Sequence, residues 1–142
     1  MISINYIDVQ EVPDLNPELL VLWLEEAIKT EGLECGDVNL VFCSDEHLLG
    51  VNQTYLNHDY YTDIVTFDYC EDGVVTGDLF ISVDRVLDNA KTYKVSFLNE
   101  LRRVCVHGVL HLCGYGDKTE SEIQLIRSKE DFYLNNYVSR ET

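Results

Sequence analysis

Basic side chains are scarce in this chain: ten Lys and Arg stand against 26 Asp and Glu, giving a net charge of −16. Nonspecific binding to nucleic acid depends on cations that neutralise phosphates, and this balance opposes it. A local cleft of the other sign is still compatible with the total, because the field at one site need not follow the net charge. Proline is nearly missing as well, with two residues, Pro13 and Pro17, both near the start. No Pro/Gly/Ser linker, internal repeat or low-complexity segment divides the 142 residues, so one domain over 1–142 is expected. The longest strongly apolar run, Leu19 to Leu24, is far too short to cross a bilayer. The opening Met1-Ile2-Ser3-Ile4-Asn5 has neither the basic start nor the apolar block of a signal peptide, and a cytoplasmic location is expected. Cysteine occurs five times, an odd number, with no Cys-x-x-Cys pair. Reduced thiols packed as small hydrophobes are the reading that fits such a compartment.

What is present is a hydrophobic fraction of 46%, enough for a core, arranged in alternating strand and helix patterns. Ile2 to Ile7 alternates in part as a first strand. Asn16-Pro17 opens a helix to about Glu31, stopped at Gly32, with Leu20, Trp23, Leu24 and Ala27 as its apolar stripe. Val38 to Cys43 is a β-rich run, and Ser44 caps a helix to about Leu56. Ile64 to Phe67 and Val74 to Val83 are two further strands joined by a turn at Asp72-Gly73. Ser82 or Asp84 starts a short helix that ends near Lys91, and Ser96 opens another to Cys113, stopped by Gly114. Thr119-Glu120-Ser121-Glu122 has the capping-box pattern of a last helix to about Tyr137. This order predicts an α+β domain: a small mixed sheet of about four strands packed with about five helices.

The most informative stretch runs from Arg103 to Asp117. Phe97, Leu98, Leu101, Val104, Cys105 and Leu112 share one helical face, and Val106, Val109 and Leu110 make the other side apolar too. A helix apolar all round is buried. Into it the chain sets His107 and His111, four residues apart and therefore one turn apart on one side. Neutral imidazoles at that spacing can share one metal ion. Gly114-Tyr115-Gly116 then turns the chain back, and Asp117 is the first carboxylate after the break, a candidate third ligand. Two His and one carboxylate suit catalytic zinc, and the same donors suit non-haem iron. The competing reading makes the histidines core residues bonded to backbone carbonyls. Two unpaired buried imidazoles would be expensive, which favours the metal. Gly108 stands where an H-E-x-x-H peptidase keeps its general-base glutamate, which disfavours proteolysis; close packing against a neighbouring element explains the glycine equally well.

These residues resemble the YbeY endoribonucleases, bacterial rRNA maturation factors. The family pattern H-G-x-L-H-L-x-G-Y-D-H is similar to H-G-V-L-H-L-C-G-Y-G-D from His107 to Asp117. A second block matches at Asn52, Tyr55, Asp59 and Thr62-Asp63-Ile64-Val65-Thr66-Phe67, and a third at Gly77-Asp78-Leu79-Phe80-Ile81-Ser82. The blocks keep the family's order over nearly half the chain. Two departures stand out. Asp117 occupies the place of the family's third metal histidine, with Gly116 before it. Leu56 replaces an arginine that is thought to engage RNA phosphate, a role leucine cannot take; His58 and Arg103 are candidates to compensate.

The resemblance implies a zincin-like metal-hydrolase fold with two metal ligands on a buried central helix. It implies a metal-dependent, single-strand-specific endoribonuclease acting in 16S rRNA 3′-end maturation and ribosome biogenesis. His107 and His111 would be catalytic, and His107, His111 and Asp117 would hold one Zn2+ or another divalent ion per chain. Asn52, Asp59, Thr62 and Asp63 would line or brace the mouth of the site, while Tyr55, Tyr60 and Tyr61 are candidates to stack on single-stranded bases. Arg103 and His58 complete the expected substrate contacts. Implied partners are ribosomal RNA, the small ribosomal subunit or its proteins, and a ribosome-assembly GTPase, with no membrane. An acidic surface suits docking on a basic ribosomal protein better than gripping naked RNA. Two other functions compete: a ribosome-associated metal-binding assembly factor that cuts poorly, and a metal-dependent hydrolase of a small molecule or peptide.

Overall fold

The computed structural model describes residues 1–56 and 62–141, the last four of these by backbone alone. Its elements follow the order β1 (Ile2–Ile7), α1 (Pro17–Thr30), β2 (Glu34–Cys43), α2 (Asp45–Tyr55), β3 (Ile64–Asp68), β4 (Val74–Ser82), α3 (Val83–Tyr93), α4 (Phe97–Leu112) and α5 (Glu120–Glu141). Four strands and five helices among the described residues match the expected α+β composition. None of these helices is long and apolar enough to cross a membrane.

The sheet order is β1-β2-β4-β3. The first three strands run parallel, and β3 pairs antiparallel with β4 at one edge through the Asp72-Gly73 turn. Strand β2 begins at Glu34, four residues before the β-rich run that announces it. Glu34 and Cys35 pair with Val74 and Val75, and the register shifts between Cys35 and Val38. The partner strand, not local propensity, draws these residues into the sheet.

Alternation along the strands divides the interior. Val38, Leu40 and Phe42 of β2 join Val75, Leu79 and Ile81 of β4 in one cluster with α1, α4 and α5. Cys43, Val65 and Val51 form a smaller cluster on the other face, beneath α2. Side-chain caps set the helix starts: Asn16, Ser44, Ser82 and Ser96 each accept a backbone N–H from three residues on.

Helix α4 is the centre of the packing, touching α1, α3, α5, β3 and β4. Leu101, Val104, Cys105, Val106, Val109, Leu110 and Leu112 are all buried, as the all-round apolar pattern requires. A Cβ on Gly108 would stand 2.6 Å from Ile64 Cδ1 and 3.1 Å from Leu79 Cδ1. Glycine therefore lets β3 and β4 lie close against the helix at the level of the histidines. All five cysteines are free. Burial pushes the Cys43, Cys105 and Cys113 thiols up to about 12, so these three remain protonated packing groups.

Candidate metal centre and its two clefts

His107 and His111 leave α4 on the same side with their rings edge to face, centroids 4.5 Å apart. Each ring is anchored through Nδ1. His111 Nδ1 lies 2.8 Å from the Tyr115 carbonyl oxygen, and His107 Nδ1 lies 2.6 Å from Glu130 Oε2. Both partners are acceptors, so both Nδ1 atoms carry the proton in the neutral rings. Each Nε2 is then left with a bare lone pair. Those two nitrogens face one another at 3.0 Å, a repulsive contact unless a cation or proton lies between them.

Asp117 completes the convergence. The Gly114 break, at φ +108°, turns the chain out of α4, and Asp117 Oδ2 comes to 3.3 Å from His111 Nε2 and 3.9 Å from His107 Nε2. Ligands about 2.0–2.1 Å from a tetrahedral zinc stand about 3.4 Å from each other. The three donors, within 4.8 Å of one another, thus span a triangle of the size that one such ion fills. An imidazole Nδ1–H held by a carboxylate and another held by a backbone carbonyl are the outer contacts that metal-binding histidines use. The residues present fit a metal ion.

Glu130 was not visible as a site residue in the sequence. It is 3% exposed and accepts from Arg103 Nη1 at 3.0 Å as well as from His107, while Arg103 Nη2 reaches Asp131 at 2.7 Å. Its signal was positional: Ile126, Glu130, Tyr133, Leu134 and Tyr137 form the buried stripe of α5, and one member is charged. Burial works against a charge on His107, but the Glu130 hydrogen bond and the carboxylates of Glu130, Asp63 and Asp117 outweigh it and raise its pKa.

A second anchor holds the turn between His111 and Asp117. Glu31, at the end of α1, accepts from Tyr115 Oη at 2.5 Å and from Tyr133 Oη, with Lys129 Nζ at 3.5 Å. Burial opposes the Glu31 charge, yet the two phenols and Lys129 prevail and hold its carboxyl below the usual range. One carboxylate therefore ties α1 and α5 to the residue whose carbonyl orients His111.

Two clefts meet at the donors. One, about 460 Å³, runs along β3 past Thr62, Asp63, Ile64, Thr66 and Asp68. The other, about 450 Å³, lies between α3, α4 and α5 and includes Asn89, Glu100, Arg103 and Glu130. Asp63, His107 and Asp117 belong to both. Burial lifts the Asp63 pKa against the pull of His107, backbone N–H groups and Asn89.

The remaining expected contacts divide. Thr62 and Asp63 line the β3 cleft, and Arg103 lines the other with its guanidinium held by Glu130 and Asp131. Asn52 is 1% exposed and donates Nδ2 to Thr62 Oγ1 at 2.9 Å, bracing the chain that enters β3. Tyr55 is 69% exposed on α2, edge-on to Phe67, and Leu56 caps the same helix; neither lines a cleft. His58, Asp59, Tyr60 and Tyr61 lie outside the described residues.

The chain's similarity to known proteins points the same way. A family model described as Endoribonuclease YbeY matches residues 3–138. A Flavobacterium johnsoniae protein named Endoribonuclease YbeY is 47% identical over 131 residues, covering 92% of this chain and 93% of that one. One of the same name from Cytophaga hutchinsonii is 50% identical over 114 residues, 80% of each chain. Among solved structures, the solution structure of TM1509 from Thermotoga maritima superposes with a TM-score of 0.72 at 30% identity, covering 99% of this chain and 91% of that one.

Proposed function

The chain belongs to the endoribonuclease YbeY family, and on that premise we propose that it cuts single-stranded RNA at a metal ion held by His107, His111 and Asp117. The substrate in this reading is small-subunit ribosomal RNA at its 3′ end, met in the cytoplasm on or near the ribosomal subunit. The observation that carries it is the pair of Nε2 atoms, stripped of protons by their Nδ1 partners and facing each other 3.0 Å apart beside Asp117 Oδ2. When bound there, a divalent ion supplies Lewis acidity toward a phosphoryl oxygen and toward water.

Each protein group has a definable task. Glu130 and the Tyr115 carbonyl fix the tautomers and ring planes of His107 and His111. Asp63, at the junction of the clefts with a raised pKa, is placed to accept a proton from water entering the site. Thr62 lies on the RNA path along β3, and Asn52 holds Thr62 in place. Arg103 balances the charge of Glu130, so it orients a ligand partner before it meets any phosphate. Zinc is the ion proposed for a two-His, one-carboxylate set that leaves a fourth position open; iron shares these donors.

With 26 acidic residues against ten basic ones, the chain is proposed to reach RNA through a basic ribosomal protein or an assembly GTPase, not through grip on naked RNA. The test maps small-subunit rRNA 3′ ends in a deletion strain complemented with wild type or His107→Ala. Unprocessed ends in the deletion strain, restored by wild type alone, are expected. Normal ends without the gene would refute a maturation role, and full rescue by His107→Ala would favour an assembly factor that does not cut.

A further inference from the structure

The cleft between α3, α4 and α5 contains groups that metal binding does not use. Glu100 stands two helical turns before His107 on α4, about 10 Å along the axis, and its carboxylate lines the cleft. The residue is 4% exposed, and among the described residues no hydrogen bond reaches its side chain. Arg103, one helical turn on, has given its terminal nitrogens to Glu130 and Asp131. The Glu100 carboxylate thus faces the cleft with no donor from the described residues, and a ligand bearing N–H groups would supply one. Burial raises the Glu100 pKa, with Asp63 and Glu130 adding to it against Arg103 and Arg127.

The walls narrow the class of ligand. Tyr93 and Val95, 59% and 39% exposed, present apolar surface at the mouth, and Asn89, Asn99 and Arg127 add polar edges. Four carboxylates, Asp63, Glu100, Asp117 and Glu130, stand against two guanidiniums, Arg103 and Arg127, around this space, which disfavours a phosphate and suits a flat group with N–H donors. A volume of about 450 Å³ lies within the range of small-molecule sites. The cleft also opens onto His107 and Asp117, so a base bound here would belong to a nucleotide adjoining the metal centre.

We propose that this cleft is a nucleobase subsite for guanine, with Glu100 accepting from the N1 and N2 donors of the base and the Tyr93 ring flanking its face. Guanine is the base whose pairing edge offers two adjacent N–H donors to one carboxylate, and single-stranded RNA leaves that edge open. The inference rests on the endoribonuclease reading for its substrate, and its test separates the two.

Guanosine and inosine, which lacks the 2-amino group, are titrated into the protein and followed by NMR. In parallel, oligouridylates with one internal guanosine, inosine or adenosine are offered to the zinc-loaded protein. Wild type is expected to bind guanosine about tenfold more tightly than inosine and to cut beside guanosine about tenfold faster; Glu100→Gln levels both ratios. Tyr93→Ala, a change at an exposed position, lowers affinity for either nucleoside about fivefold or more. Equal wild-type affinities, or a preference that survives Glu100→Gln, overturn the subsite, and unchanged affinity in Tyr93→Ala removes the flanking ring. Binding is read without cleavage, so a protein that prefers guanosine but cuts no RNA keeps the subsite and loses the endoribonuclease reading.

Discussion

The segment from His107 to Asp117 and the segment from Asn52 to Asp63 carry motifs of similar density, yet they fold to different ends. In the first, both histidines and the acid converge on one point, and each ring has its outer partner. In the second, Asn52 turns inward to Thr62, Tyr55 lies on the opposite side of the sheet, and Thr62 and Asp63 reach the site. The difference is one of mechanics. A buried helix with a tight glycine stop converts sequence spacing directly into distance. The end of α2 and the start of an edge strand give no such conversion. The candidate donors are therefore gathered on α4 and the turn after it, while Thr62 and Asp63 line the cleft that leads to them.

The largest blow to this contrast short of removing a ligand is Glu130→Ala. It strips the partner from His107 Nδ1 and leaves Arg103 half unpaired. Metal affinity is expected to fall about 10–100-fold in a chelator competition, with about 3 kcal/mol lost in denaturant unfolding. Unchanged affinity would mean that α4 alone orients the ring. A smaller effect follows from Tyr115→Phe, which takes away the Oη that Glu31 accepts and loosens the turn bearing Asp117. A fall of about threefold to tenfold in metal affinity is expected, together with a changed visible spectrum of the cobalt-substituted protein. A drop in melting temperature with an unchanged spectrum would assign the Glu31 cluster to folding alone.

The pH response gives another measure. His107 titrates above its ordinary 6.5, and a proton competes with metal for the ring. Affinity should therefore begin to weaken already above pH 6.5 as acid is added. In the metal-free protein the sign is opposite. The raised folded pKa contributes stability that is complete below about pH 6.5 and is lost as pH rises through the folded value. Urea midpoints of the metal-free protein at pH 6 and 9, for wild type and His107→Gln, check the direction; a midpoint difference that does not shrink toward pH 9 would contradict it. The smallest effect is expected at Tyr55→Ala: exposed on the far side of the sheet from the donors, it should leave metal affinity unchanged at a stability change of no more than about 1 kcal/mol. A large stability loss would make Tyr55 a core residue.

Much of this was readable in advance because the signals are local. The caps at Asn16, Ser44, Ser82 and Ser96 and the Gly114 stop fall where the structure has them. The all-round apolar pattern of α4 foretold its central place. What was hidden depends on partners distant in sequence. Glu34 and Cys35 join the sheet by pairing with Val74 and Val75 of β4, although Glu34 and the Gly36-Asp37 that follow are poor strand formers. Glu130, 23 residues from His107, reads as one more charge on a charged helix. Glu31 meets Tyr115 across 84 residues, and no periodicity announces that contact. Gly108, by comparison, was legible in both its meanings: no base of the H-E-x-x-H kind, and close approach of β3 and β4.

The central claim is that α4 and the turn after it hold a metal ion between His107, His111 and Asp117. Elemental analysis of protein purified without a histidine tag, wild type beside His111→Ala, tests it most directly. About one divalent ion per chain in wild type and none in the variant is the expected result. Stoichiometric metal in both proteins, or in neither, would contradict the site.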